Sequence, residues 1–216
     1  YSDSALVAAS GIEAGQNMFL FNKFTAINQI FAEHPYLDEI IIRRRLPDTV
    51  EIIVTEAEPV AVLKSESRYT KPAAKSGEED SYTTREEYFL IDMKGKLLEK
   101  ADSGTGHSLP IVEGTSLNNP EVGKYAVFAD EQKQKPLFLV LNSVKDHDIL
   151  PNIGFIDISE IYNISFGYLE RFEVRLGTTD NLAYKLQGMD EIVRKLTDND
   201  RGIIDVSSSD TIRFIP

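Results

Sequence analysis

Residues 36–63, YLDEIIIRRRLPDTVEIIVTEAEPVAVL, carry the pattern from which the rest of the chain is read. Ile40, Ile41 and Ile42 run into Arg43, Arg44 and Arg45, and Leu46-Pro47-Asp48-Thr49 interrupts them. Val50, Ile52 and Val54 then alternate with Glu51, Ile53 and Thr55. Proline fixes φ and aspartate can bond the nearby backbone, so Pro47-Asp48 marks a turn. β-Branched residues on both sides of it predict a hairpin. On a strand Arg44 points opposite to Arg43 and Arg45, so the three cannot form one patch. They read as solvated charge that discourages sheet-edge pairing. Contact with anionic lipid headgroups is the alternative, should the domain sit beside a membrane.

Ahead of the hairpin, Ser2-Asp3-Ser4 is a helix-start signal and Gly11 a helix stop. Asn22 is a second N-cap, followed by Phe24, Ile27, Ile30 and Phe31 at helical spacing up to His34-Pro35. The predicted order is helix, helix, strand, strand. A lone hairpin is marginal in water, so a third strand is expected. The chain begins at Tyr1 without methionine and has no signal peptide. The expectation is a fragment whose first strand and targeting segment lie upstream.

Residues 64–87, KSESRYTKPAAKSGEEDSYTTREE, are poor in apolar side chains and are predicted to form an exposed polar loop. Tyr88 to Asp92 and Leu97-Leu98, around Lys94-Gly95, predict a second hairpin. A short strand follows at Leu109 to Gly114. Asp130 caps a helix containing Leu137, Phe138, Val140, Leu141 and Val144, with Pro136 in its first turn or delaying its start. Strands are then expected around Phe155–Ile158, Tyr162–Tyr168 and Phe172–Leu176, the last stopped by Gly177. A helix capped by Thr179 or Asp180 carries Leu182, Leu186, Met189, Ile192, Val193 and Leu196. Two strands close the chain, at Gly202–Val206 and Thr211–Ile215. The fold class is α+β. A small α/β domain at 1–63, lacking its first strand, precedes the loop. A larger, mostly antiparallel β domain with flanking helices fills 88–216.

The 216 residues carry a net charge of −12, which argues against a nucleic-acid partner. There are no cysteines, so disulfides and thiolate metal sites are excluded. No run reaches the roughly 18 apolar residues of a membrane span. The three histidines, His34, His107 and His147, are far apart and read as surface or turn residues. No nucleophile elbow, phosphate loop or zinc-binding helix motif is present. Gly104-Thr105-Gly106 lacks a strand–loop–helix context. The carboxylates Glu56, Glu58, Glu78, Glu79, Asp80, Glu86 and Glu87 sit on alternating positions or in the polar loop. Catalytic residues, a metal and a cofactor are therefore not expected. A hydrolase working through Glu56 or Asp92 is the enzymatic alternative.

Ser10-Gly11-Ile12, Gly15, Asn17, Phe19, Pro47-Asp48-Thr49-Val50 and Glu56-Ala57-Glu58-Pro59-Val60-Ala61 resemble a POTRA domain, specifically that of the FtsQ/DivIB bacterial division family. Leu90-Ile91-Asp92 with Gly95, Leu109-Pro110 with Gly114, Val174 to Gly177, Lys185-Leu186 and Ile204-Asp205-Val206 are similar, in order, to that family's β domain. The resemblance implies a β-α-α-β-β first domain, with Gly11, Gly15, Asn17, Phe19, Pro47 and Pro59 as its structural motif. It implies a single-pass membrane protein, anchored by an upstream helix, with this region outside the cell membrane at the division septum. It implies a non-enzymatic scaffold binding the small bitopic proteins FtsB (DivIC) and FtsL. The final strand of such a β domain receives a strand from FtsB. The implied contact residues here are Ile203, Ile204, Val206, Thr211, Ile212, Arg213, Phe214 and Ile215, with Phe214 the aromatic anchor. The turn at 207–210 lacks the second aromatic of some members. A POTRA module of an outer-membrane assembly or secretion system, binding client polypeptides, is the alternative.

Overall fold

The computed structural model describes residues 2–71, 81–102, 108–208 and 211–216. The run Glu78-Glu79-Asp80, Gly104-Thr105-Gly106, His107 and the second half of the turn at 207–210 lie outside the described residues. The chain divides into two compact units, Tyr1–Glu58 and Pro59–Pro216.

In the first unit, helix α1 (Asp3–Ser10) starts where Ser2 Oγ accepts the Ala5 N–H and ends at Gly11, whose φ of 64° suits glycine. Helix α2 (Lys23–Glu33) starts at Asn22, whose Oδ1 accepts from Phe24 N at 2.9 Å. Strands β1 (Leu37–Arg45) and β2 (Thr49–Glu56) pair antiparallel, Ile42 opposite Ile52 and Arg45 opposite Thr49. The turn between them holds a cis Leu46–Pro47 bond. Leu6, Ala9, Ala26 and Ile30 from the helices bury against Leu37, Ile40 and Ile42. Each leucine or isoleucine among them contributes about 1.5–3 kcal/mol when fully buried. His34 is buried at the end of α2 rather than on the surface.

The arginine run divides as strand alternation requires, but its middle member is not solvated charge. Arg44 Nε donates to Met18 O at 2.5 Å and its Nη2 to Phe21 O at 3.1 Å. The guanidinium lies 4.8 Å from the Phe21 ring centre and 5.9 Å from that of Phe19. Arg44 thus ties residues 18–21 to the end of β1. Asn17 Oδ1 organises the same loop by accepting from Phe19 N at 3.0 Å. Gly15, with φ of 84°, turns the chain ahead of it.

The second unit is one nine-stranded sheet. Its strands are β3 (Ala61–Lys71), β4 (Ser81–Ile91), β5 (Leu97–Ala101), β6 (Ile111–Asn118), β7 (Ile153–Asp157), β8 (Ile164–Tyr168), β9 (Phe172–Gly177), β10 (Gly202–Asp205) and β11 (Arg213–Ile215). They lie in the order β11-β10-β9-β8-β7-β6-β3-β4-β5. The neighbours β3/β4, β4/β5, β7/β8, β8/β9 and β10/β11 are antiparallel, and β3/β6, β6/β7 and β9/β10 parallel. Helix α3 (Glu131–Asp146) buries Leu137, Val140, Leu141 and Val144, and α4 (Leu182–Val193) buries Leu182, Leu186 and Met189. Both sets join one core with Leu63, Ile91, Val112, Ile156, Phe166, Val174 and Ile204.

Several expectations are corrected. Residues 64–87 are not a polar loop, because β3 and β4 run through most of them, in register from Ala61 opposite Ile91 to Lys71 opposite Ser81. The pairing is held by backbone bonds and buried polar groups, which leave no apolar alternation to read. Ser65 and Ser67 are buried, and buried Glu87 accepts from Tyr69 Oη at 2.5 Å and Lys100 Nζ at 2.6 Å. Burial opposes ionisation of Glu87, but the Lys100 and Tyr69 bonds still hold its carboxyl below its usual range. Burial, then the bond to Glu87, pushes Tyr69 up to about 12. The first unit accordingly ends at Glu58 rather than residue 63, since Val60–Leu63 belong to the second core. Pro136 lies inside α3, past the first turn. Asn181, not Thr179 or Asp180, precedes α4, and it makes no side-chain cap. The last strand is shorter than expected, because Thr211 and Ile212 precede it.

Arg44→Ala should destabilise the first unit by about 1–3 kcal/mol, the cost of leaving part-buried carbonyls without their charged donor. Arg43→Ala, at an exposed position, should stay within about 0.5 kcal/mol of the parent. Chemical denaturation of the two variants checks the difference.

Candidate functional site

The partner-binding residues expected from the sequence converge on the β11 end of the sheet. Strand β9 connects through α4 to β10, which pairs parallel with it, Val174 opposite Ile204. Strand β10 then pairs antiparallel with β11: Ile203 faces Ile215, Ile204 faces Phe214 and Asp205 faces Arg213. Because β11 is the outermost strand, its far edge has no strand partner among the described residues.

Side-chain alternation gives this edge two different faces. Ile204 and Phe214 point to the core side, where the Phe214 ring meets that of Phe172 edge-on, centroids 6.1 Å apart. Val206 is also fully buried. Arg213 and Ile215 point to the opposite face with Ile203 and Asp205. Glu173 and Arg175 of β9 continue that face, joined at 2.9 Å. Charged side chains from three strands therefore flank an exposed Ile215.

Three contacts that were not legible in the sequence seat β11. A Cβ on Gly188, in α4, would lie 2.0 Å from Ile212 Cδ1. The missing side chain lets Ile212 pack on the helix just before the strand begins. A Cβ on Gly202, whose φ is +148°, would lie 2.1 Å from Ile215 O. The third contact is Phe172 beneath Phe214. A glycine inside a helix lowers stability relative to alanine, so Gly188 was the available signal of a close approach.

The turn after β10 is held by Asp205, whose Oδ1 accepts from Ser207 Oγ at 2.6 Å and Ser207 N at 3.0 Å. The hydroxyl bond is the main reason this carboxyl sits below its usual range. Lys185 of α4 is buried, and its Nζ donates to Leu176 O and Thr178 O, both at 2.8 Å. Desolvation lowers its pKa, while the two carbonyls fix α4 to the end of β9.

Thr211 is exposed and outside the strand. Gly11, Gly15, Asn17, Phe19 and Pro47 all lie in the first unit and act on its turns and caps, while Pro59 opens the second. Asp92 is buried, and its Oδ1 accepts from Lys94 N and Lys96 N at 2.9 and 2.8 Å. It shapes the β4–β5 turn. Among the described residues no group of three His, Cys, Asp or Glu side chains could hold a metal. No helix among them is long and apolar enough to cross a membrane.

Two family models divide the chain much as the two units do. The POTRA domain, FtsQ-type, matches residues 1–57. The C-terminal domain of cell division protein FtsQ/DivIB matches residues 82–207. The chain belongs to the FtsQ/DivIB family of cell division proteins. It is 27% identical over 205 residues to cell division protein DivIB of Clostridium acetobutylicum, covering 94% of this chain and 72% of the relative. A Clostridium botulinum DivIB is 28% identical, over 92% of this chain and 70% of that protein. Cell division protein FtsQ of Neisseria meningitidis is 31% identical over 61 residues, 28% of this chain and 26% of the relative. The α+β architecture agrees with a POTRA domain followed by a β domain. The FtsQ/DivIB match stops at residue 207, so β11 lies beyond it.

Gly188→Ala should displace Ile212 and speed amide exchange at residues 212–215, while α4 keeps its helix. Hydrogen exchange resolved by residue distinguishes this from global loosening. Asp205 binds its proton less readily folded than unfolded, so its contribution is present above the ordinary aspartate pKa and is lost as pH falls through the lower folded value. Ser207→Ala should bring the Asp205 pKa up towards 3.8 and flatten the acid-side loss of stability. A carbon-detected carboxyl titration with parallel unfolding measurements follows both.

Proposed function

We propose that this chain is the extracytoplasmic part of a non-enzymatic scaffold of the bacterial division machinery, held at the cell membrane by an anchor outside this sequence. Its partners are small bitopic division proteins of the FtsB/DivIC and FtsL types. The partner contributes a β-strand to the outer edge of β11. The observation that carries the reading is the outer edge of β11, which has no strand partner among the described residues, at the end of a nine-stranded sheet. An added strand would satisfy the backbone groups there, and side chains would set the choice of partner. Phe214 acts from beneath by holding the strand on Phe172. Arg213 and Ile215 sit on the face open to solvent and would meet the partner's side chains directly. The family membership supports a role in division.

Phe214→Ala should weaken binding of an FtsB/DivIC-like ectodomain by about tenfold or more, since truncating a half-buried anchor costs at least about 1.4 kcal/mol. Calorimetry measures the affinity, and far-ultraviolet circular dichroism verifies the fold. Cross-linking from position 215 should capture the partner. Unaltered affinity in a folded Phe214→Ala chain, with no capture at 215, would remove β11 as the docking edge.

A further inference from the structure

Charge and apolar exposure are segregated along the β1–β2 hairpin of the first unit. Lys23, Arg43, Arg44 and Arg45 are all the lysines and arginines of residues 1–58. The arginines fill the last three positions of β1, next to the turn. Lys23 Nζ donates to Ile42 O at 2.7 Å, which brings the first turn of α2 to the same end. Asp38, Glu39 and Glu56 gather at the other end, where Leu37 pairs with Glu56. At about 3.3 Å per residue, Glu39 and Arg45 stand about 20 Å apart along the strand. That is more than two Debye lengths at physiological ionic strength, so the acidic end hardly screens the basic one.

The basic end also carries Phe19, Leu20, Phe24 and Leu46, each at least 65% exposed. Arg44 fixes Phe19 and its neighbours there through the Met18 and Phe21 carbonyls. Asp48 and Glu51 stand at this end. Asp48 accepts from Thr49 Oγ1 at 3.1 Å, and Glu51 meets Arg45 at 3.0 Å. Arg43 and Arg45 are exposed at this end and Lys23 is half-buried, while Arg44 is turned inward on the loop carbonyls.

Scattered exposed apolar residues need no explanation, but four at one end of a small unit do. They stand on a loop, a first helical turn and a hairpin turn, so they offer no periodic face to a partner helix or strand. Apolar tips rimmed by Lys and Arg match the layered polarity of a bilayer surface. We propose that this end of the first unit docks on an anionic lipid surface. Phe19, Leu20, Phe24 and Leu46 enter the boundary between headgroups and acyl chains, and Lys23, Arg43 and Arg45 meet lipid phosphates. Docking here is independent of strand addition at β11, which belongs to the other unit.

Co-sedimentation of the 216-residue chain with vesicles tests it, using phosphatidylglycerol mixed equally with phosphatidylcholine, and phosphatidylcholine alone. The chain should pellet with the mixed vesicles and stay in solution with the neutral ones at about 0.1 M salt. The pair Arg43→Gln and Arg45→Gln should lower binding about 30-fold, at about 1 kcal/mol per basic residue. The triple Phe19→Ser, Leu20→Ser and Phe24→Ser should abolish it, while Tyr162→Ser, at an exposed position of the other unit, should not change it. Circular dichroism and melting verify that each variant is folded. Equal pelleting with both vesicle types, or parent-like binding by both variant sets, overturns the proposal. So does loss of binding to another division protein with vesicle binding unaltered, which would mark a protein-docking surface.

Discussion

The parallel pairing of β9 with β10 is the constraint on which the C-terminal edge depends. Parallel neighbours cannot be joined by a tight turn, so the chain leaves β9 through α4 and returns to start β10. Lys185 secures that excursion by donating to the carbonyls at the end of β9. With β10 in place, the last residues have one position left, the outside of the sheet. There β11 is three residues long, too short to be held by its ladder alone. Ile212 on α4 at Gly188, Phe214 on Phe172 and the chain end over Gly202 hold it instead. A strand fixed by packing on one face keeps its outer backbone groups available, which is what strand addition requires.

The opposite half of the sheet solves a different problem. Beyond Leu63, β3 and β4 extend past the apolar core, and their inward positions are filled by Ser65, Ser67, Tyr69 and Glu87. Burying a carboxylate is costly unless it is paired and hydrogen-bonded. Lys100 from β5 and Tyr69 from β3 meet that condition, so three strands are joined by one polar cluster. In the first unit Arg44 plays a comparable part, closing the loop carbonyls that helix packing leaves open. In both places a residue type usually found at the surface is the connector.

How much was legible follows from what each signal measures. The β1–β2 hairpin, α1 and α2 with their caps, and most of the α3 core face were readable, because local periodicity and capping chemistry determine them. The strands in 64–87 were not legible because composition reports apolar burial, while they are held by backbone pairing and by bonds to the buried Glu87 carboxylate. The residues of the C-terminal edge could be named from a family resemblance. Their division into an inward Phe214 and Ile204, an outward Arg213 and Ile215, and an off-strand Ile212 could not.

From the sequence alone came the α+β class, the order of most elements, the likeness to a division protein and the absence of thiol chemistry. Those depend on short-range pattern and on residue inventory. Tertiary structure decided which strand lies outermost, that Arg44 faces inward to bond a loop, and that Gly188 and Gly202 are places where another segment passes close. Those depend on contacts between residues far apart in the chain, and strand alternation gives no sign of which segment fills the space beside it.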